Sequence, residues 1–182
     1  MTVKGGDKLA KHLQGMARQM AGGGVVRVGF LENATYPVED TLARLRTGAK
    51  LLNSVGPRKP GTREFIGPHK QVLSKRLHVA QVAFWNEFGT ATTRARPFFR
   101  MMIANKSPRW GSDLAKISVA TNYDGPRTLA LMGQRVKDQL VKSIVDWPAD
   151  NAPLTVAIKG FNKGLVDRGV MQRAVDFVVV PG

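Results

Sequence analysis

Two short runs rich in β-branched residues lie near opposite ends of the chain: VVRVGFL at Val25–Leu31, and VDFVVV within Val170–Val180. They constrain the fold more than any other feature. Both read as strands, and a lone strand can bury no face and satisfy no ladder. The sequence offers each the other as a neighbour in a sheet. Helical patterns surround them. In residues 6–20, Leu9, Leu13, Met16 and Met20 recur at steps of three and four, Asp7 sits in the first turn, and Ala21–Gly24 ends the pattern. Leu129, Met132, Val136, Leu140, Ile144 and Trp147 define a second helix over Thr128–Asp146, closed by Pro148. Between these, Pro97 opens a helix that is expected to break at Ser107–Pro108, and Ser112 caps another to about Ala120. His78–Asn86 is short and apolar, so period alone does not decide between helix and strand. NAPLTVAIKGFNKG, Asn151–Gly164, reads as a turn, a short extended piece and a turn. Without regular βαβ alternation the fold class is α+β: a small antiparallel or mixed sheet packed against two or more helices.

Residues 37–78 have a different character. Pro37, Pro57, Pro60 and Pro68 punctuate them, and a short helix is expected at Val38–Thr47 before a loop over Asn53–Pro68. Within 41–80, Arg44, Arg46, Lys50, Arg58, Lys59, Arg63, Lys70, Lys75 and Arg76 face one acid, Glu64. The chain therefore reads as one α+β domain over 1–182 with 37–78 as an inserted basic arm or loop, since long structureless loops inside compact domains tend to serve a function.

Composition narrows the chemistry. The 182 residues carry a net charge of +15 and no cysteine, which excludes disulfides, thiolate zinc sites and a cysteine nucleophile. No apolar run approaches the ~18 residues of a membrane span, and the N-terminus lacks the apolar centre of a signal peptide. His12, His69 and His78 show no i, i+4 metal spacing, the acids are scattered, and neither VKGGDK nor MAGGGV has the form of a phosphate loop. Catalytic, cofactor and metal residues are therefore expected to be absent. The positive charge makes nucleic acid a candidate partner, although the basic segment has only Phe65 for stacking.

The most distinctive stretch is VAFWNEFGTATTRARPFFRMMIA, Val82–Ala104. Phe84, Trp85 and Phe88 form an aromatic cluster, expected in the core or at a subunit contact. Glu87 lies among them and needs a partner, with Arg94, Arg96 and Arg100 as the nearest forks. Gly89 permits a tight turn and Pro97 restarts the chain as helix. The stretch reads as a rigid elbow rather than a reactive site.

AFWNEFGT followed by RPFFR resembles the signature of tail-completion, or head–tail joining, proteins of long-tailed bacteriophages. The C-terminal NAPLTVAIKGFNKGLVDRGVMQRAVDFVV is similar to the same family's closing pattern, and the first helix and VRVGF fit in order, so the resemblance covers roughly 1–36 and 79–182. Two positions depart from it: Gly164 stands where the family tends to have Pro, and Arg168 where it tends to have Thr, while Asp167 and Gly169 are kept. The resemblance implies an α+β virion protein without enzymatic activity or cofactor. It implies a ring, commonly six-fold, at the head–tail neck that completes the tail and joins it to the head connector. The implied partners are copies of itself, connector and tail-tube proteins, and DNA passing through the lumen. The implied location is the virion, with assembly in the host cytoplasm. A tail-terminator ring capping the tube and a basic nucleic-acid-binding protein remain alternatives. Candidate subunit contacts are Trp85, Glu87, Phe88, Arg96, Phe98, Phe99, Arg100 and Asp167.

Overall fold

The computed structural model describes residues 6–20, 23–37, 77–91 and 93–181. The short helix expected at Val38–Thr47, the loop at Asn53–Pro68 and all nine basic residues of the arm lie outside the described residues. The element order is α1 (Gly6–Met20), β1 (Gly24–Phe30), α2 (Val79–Phe88), α3 (Phe98–Ala120), α4 (Gly125–Val145), α5 (Pro153–Lys159), α6 (Val170–Arg173) and β2 (Val175–Pro181). The two terminal runs do pair, as an antiparallel two-stranded sheet. The fold is α+β.

The chain falls into two compact units. Unit 1 comprises residues 1–29, 98–143 and 175–182, and unit 2 comprises 30–97 and 144–174.

In unit 1 the helical hairpin α3–α4 dominates. Its corner is set by local hydrogen bonds. Tyr123 N donates to Ser118 O at 2.7 Å and Asn122 N to Val119 O at 3.1 Å, the paired bonds of a Schellman ending. Asn122 and Tyr123 both take positive φ, 53° and 63°, which asparagine tolerates well. Asp124 then caps α4, its Oδ1 accepting from Arg127 N at 3.0 Å. Behind the corner, the buried hydroxyls of Thr121 and Thr128 share a 2.7 Å hydrogen bond. This cap is why α4 starts at Gly125, ahead of the periodic residues that reveal it in sequence.

The expected break at Ser107–Pro108 does not occur. Pro108 lies inside α3, a single helix of 23 residues. A proline there removes one ladder bond, leaving the carbonyl of Ala104 to other partners, and Ala104 is exposed so water can serve it. Trp110, whose Nε1 donates to Gln139 at 2.9 Å, and Asp113, paired with Arg135 at 2.9 Å, tie α3 to α4 beyond the proline. Ser112 is accordingly mid-helix and not a cap; its hydroxyl donates to Arg109 O.

The sheet packs on α4 at Gly133. A Cβ there would collide with the Phe177 ring, so the missing side chain lets β2 approach the helix. Phe98, Met102, Met132, Leu140 and Val175 are buried in unit 1, whereas Val25 and Val178 on the strands are more than half exposed.

In unit 2 the apolar piece left undecided by period is the helix α2, which packs against α6. The backbone on either side of residues 38–76 is paired: Tyr36 N donates to Leu77 O at 2.9 Å and Val79 N to Ala34 O at 2.8 Å, around a Thr35–His78 bridge. The expected extended piece after Asn151 is instead the helix α5. Pro153 occupies its first turn, and Gly160, at φ 80°, ends it in the left-handed region. Both residues read as turn formers in sequence, yet they are equally the start and stop marks of a helix of about two turns.

Candidate functional site

The site is built around the turn that follows α2, in unit 2. Gly89 closes the helix at φ 80°, its N–H donating to Trp85 O. A side chain at Gly89 would press on Ala95 N and Thr93 O, each 2.9 Å from where a Cβ would stand. Glycine is therefore required both by dihedral and by space. Thr90 N donates to Thr93 O at 2.9 Å, and Arg96 N to Asn86 O at 2.6 Å. The Arg96–Asn86 bond thus brings the chain back to the end of α2, the turn expected from sequence.

Arg96 fastens that turn. Its Nε donates to Asp150 Oδ2 at 2.8 Å and one terminal nitrogen to Asn86 Oδ1 at 3.0 Å. Asn86 in turn donates to Val82 O, inside α2. Trp147 Nε1 donates to the same Asp150 oxygen at 3.2 Å. The side chains of Arg96 and Asp150 are 12% and 22% exposed, so the pair is well shielded. Burial alone would push the Asp150 carboxyl up. The hydrogen bonds from Arg96 and Trp147 and the Arg96 charge outweigh it, holding the group below the ordinary carboxylate range. Asp150 Oδ1 lies buried against Gly164, where a Cβ would strike it. Glycine at 164, one of the two departures from the resembled family, leaves the room that this carboxylate occupies.

The other departure also has a geometry. Val170 N donates to Asp167 O at 3.3 Å, and the two residues between, Arg168 and Gly169, have φ of 47° and 69°. This is a type I′ turn, which needs positive φ at both central positions. Gly169 takes it at no steric cost, and Arg168 holds it without the threonine hydroxyl. The turn leads into α6 and, with α5, α2 and the Asn86–Arg96 pair, lines a cleft of about 430 Å³. Val82, Ile158, Leu165 and Met171 give it apolar walls; Asn86, Asn151 and Asp167 supply polar groups.

The sequence-predicted residues divide clearly. Phe88 is 53% exposed and Phe84 59%, their rings 4.7 Å apart and tilted by 42°. Of the cluster expected in the core or at a subunit contact, Phe84 and Phe88 are thus a surface pair at i, i+4, with Ala80 and Gln81 as the other exposed residues of that helix face, and Trp85 is half-buried. Glu87, one turn on from Phe84, is buried at 6% exposure. Arg96 lies in the clasp, where it meets Asp150 and Asn86. Phe98 is 1% exposed, so it is a core residue and not a surface available to a neighbour. Phe99 is half-buried and Arg100 exposed, both on α3, while Asp167 stands at the cleft. Missed in sequence were Asp150, Asn86 and Trp147. Asp150 lies more than fifty positions beyond Arg96, and only the Trp-Pro-Ala-Asp grouping after the clearest helix marked it.

Among the described residues no group of three or more His, Cys, Asp or Glu could hold a metal ion, and no helix is long and apolar enough to cross a membrane. No family model, curated protein or solved structure matches the chain.

Proposed function

We propose that the chain is a structural subunit of a tailed bacteriophage particle, closing with copies of itself into a ring at the head–tail junction that completes the tail and joins it to the head connector. The reading has two roots: the motif resemblance of Val82–Arg100 and of the C-terminal third, and the physical character of the surface. The observation that carries most weight is the Phe84–Phe88 stack. Two phenyl rings, each more than half exposed, stand on a helix face without a charged residue. Isolated exposed apolar residues are ordinary, but a contacting aromatic pair among uncharged exposed neighbours is the composition of a contact centre. The clasp beneath it, Arg96–Asp150–Asn86, fixes the turn at the end of that helix, so little ordering would be needed on docking.

The sheet adds a second support. With two strands it has two edges, and neither is paired to another strand among the described residues. Natural proteins cover or blunt such edges, and a two-stranded sheet is marginal alone. A heterologous contact repeated around an axis answers both needs, because every copy offers and receives the same two surfaces. In this role the protein catalyses nothing; its partners are other copies, the connector and the tail tube.

Purified phage particles carrying the gene provide the test. Labelling with an antibody to this chain should mark the neck, between head and tail. Particles that lack the polypeptide altogether, with normal heads joined to normal tails, would overturn the reading.

A further inference from the structure

The charges of unit 1 do not balance within it. The carboxylates of its α3, α4 and β2 are all engaged: Asp113 with Arg135 at 2.9 Å, Asp176 with Lys137 at 3.0 Å, Asp138 with Gln134 at 2.7 Å, and Asp124 with the start of α4. The cations outnumber them. On α3, Lys106, Arg109 and Lys116 are exposed and have no acidic partner among the described residues. Asp113, the one acid of α3, has its carboxylate 12% exposed and neutralised by Arg135. Lys106 to Lys116 spans about 15 Å of helix at 1.5 Å per residue. Between them Ser112, exposed on the same side of the helix, is small and leaves room for close approach. Arg127, also exposed, opens α4 just past the hairpin corner.

We infer that the outer side of α3 is a binding surface for the phosphodiester backbone of a nucleic-acid duplex, with Lys106, Arg109 and Lys116 as its phosphate contacts. The charge pattern favours a duplex over a single strand. Single-strand binding needs exposed aromatic platforms, and on α3 Phe98 is buried, Phe99 and Trp110 are half-buried, and the Trp110 indole is bonded to Gln139. What α3 offers is a line of long, mobile cations without rings or acids, suited to a backbone and indifferent to base sequence. The inference is separate from the ring proposal, since one protomer presents the whole surface.

The test uses the full chain and a fluorescent duplex of about 20 base pairs, made once as DNA and once as RNA, titrated by anisotropy over a salt series. Binding should weaken as salt rises. In the triple variant Lys106→Gln, Arg109→Gln, Lys116→Gln, affinity should fall about tenfold or more, and the slope of log K against log salt should flatten by about 2 to 3. The control Lys8→Gln, Lys11→Gln, Arg18→Gln removes the same charge from α1 and should leave most of the binding. Arg109→Lys should keep the wild-type slope, which guards against a misfolded triple variant. A difference between the DNA and RNA arms identifies the duplex used. Absence of duplex binding by the wild-type chain, a triple variant that binds like wild type, or an equal loss in the α1 control would each overturn the inference.

Discussion

In unit 2 the guanidinium of Arg96 is forked onto Asp150 and Asn86, and the carboxylate it meets is also held by an indole; in unit 1 Lys106, Arg109 and Lys116 stand at the surface without an acid. The two regions put the same residue types to opposite uses. Where a charge is shielded and bonded in several directions it fixes backbone, and its loss is felt as stability. Where it is solvated and unmatched it contributes little to the fold and remains available to partners. Net charge alone, at +15, does not distinguish these roles; only the pairing does.

Substitutions can press on this contrast, beginning with the strongest. Gly164→Val puts side-chain atoms where Asp150 Oδ1 and Trp147 now lie. It should cost about 3 kcal/mol or more by displacing the clasp as well as overpacking it, visible as a Tm loss of about 6 °C or more. Asp150→Ala, which leaves Arg96 shielded and unpaired, should lose about 2 to 3 kcal/mol in a urea melt. Combining it with Gly164→Val should be markedly less than additive, because both act on one network; full additivity would show that Gly164 matters for some other reason. Next comes Thr128→Val, which removes one hydroxyl of the buried pair behind the α3–α4 corner and should cost about 1 to 2 kcal/mol. At the bottom stands Asp176→Asn. The pair with Lys137 is only partly shielded and open to solvent on one side, and little change in Tm is expected. A clear loss there would blur the distinction between the two units.

The pH dependence follows from the same clasp. Asp150 has its carboxyl below the ordinary range in the folded chain. Its contribution is therefore fully present above the unfolded value, near pH 4, and is lost as pH falls through the lower folded value. Wild-type Tm should drop over that acid window more steeply than that of Asp150→Asn, which has no carboxylate to protonate. Parallel curves for the two proteins would remove Asp150 from the account.

Much of the fold was legible in the residues themselves. The helix over 6–20, the two β-branched runs and their pairing, and the long helix ending before Pro148 follow from period and punctuation. Errors came where one residue type has two meanings. Pro108 was read as a stop, yet Trp110 and Asp113 anchor the following turns to α4 and carry the helix through. Pro153 and Gly160 were read as turns although together they delimit α5. The elbow was foreseen from Gly89 and Pro97, but Arg96, read there as a candidate partner of Glu87, is fastened to Asp150 and Asn86 instead; the Arg96–Asp150 bond joins distant segments and leaves no local pattern. Burial was the least readable property: Phe84, Phe88 and Phe98 look alike in sequence, and only packing makes the first two surface and the third core.

Sedimentation velocity of the full chain over a wide concentration range, beside Phe84→Ser/Phe88→Ser, addresses the ring proposal most directly. The wild type should sediment as a closed oligomer of fixed size, and the double variant as a folded monomer with an unchanged melt. A wild type that stays monomeric at every concentration, or a variant that assembles equally well, would contradict it.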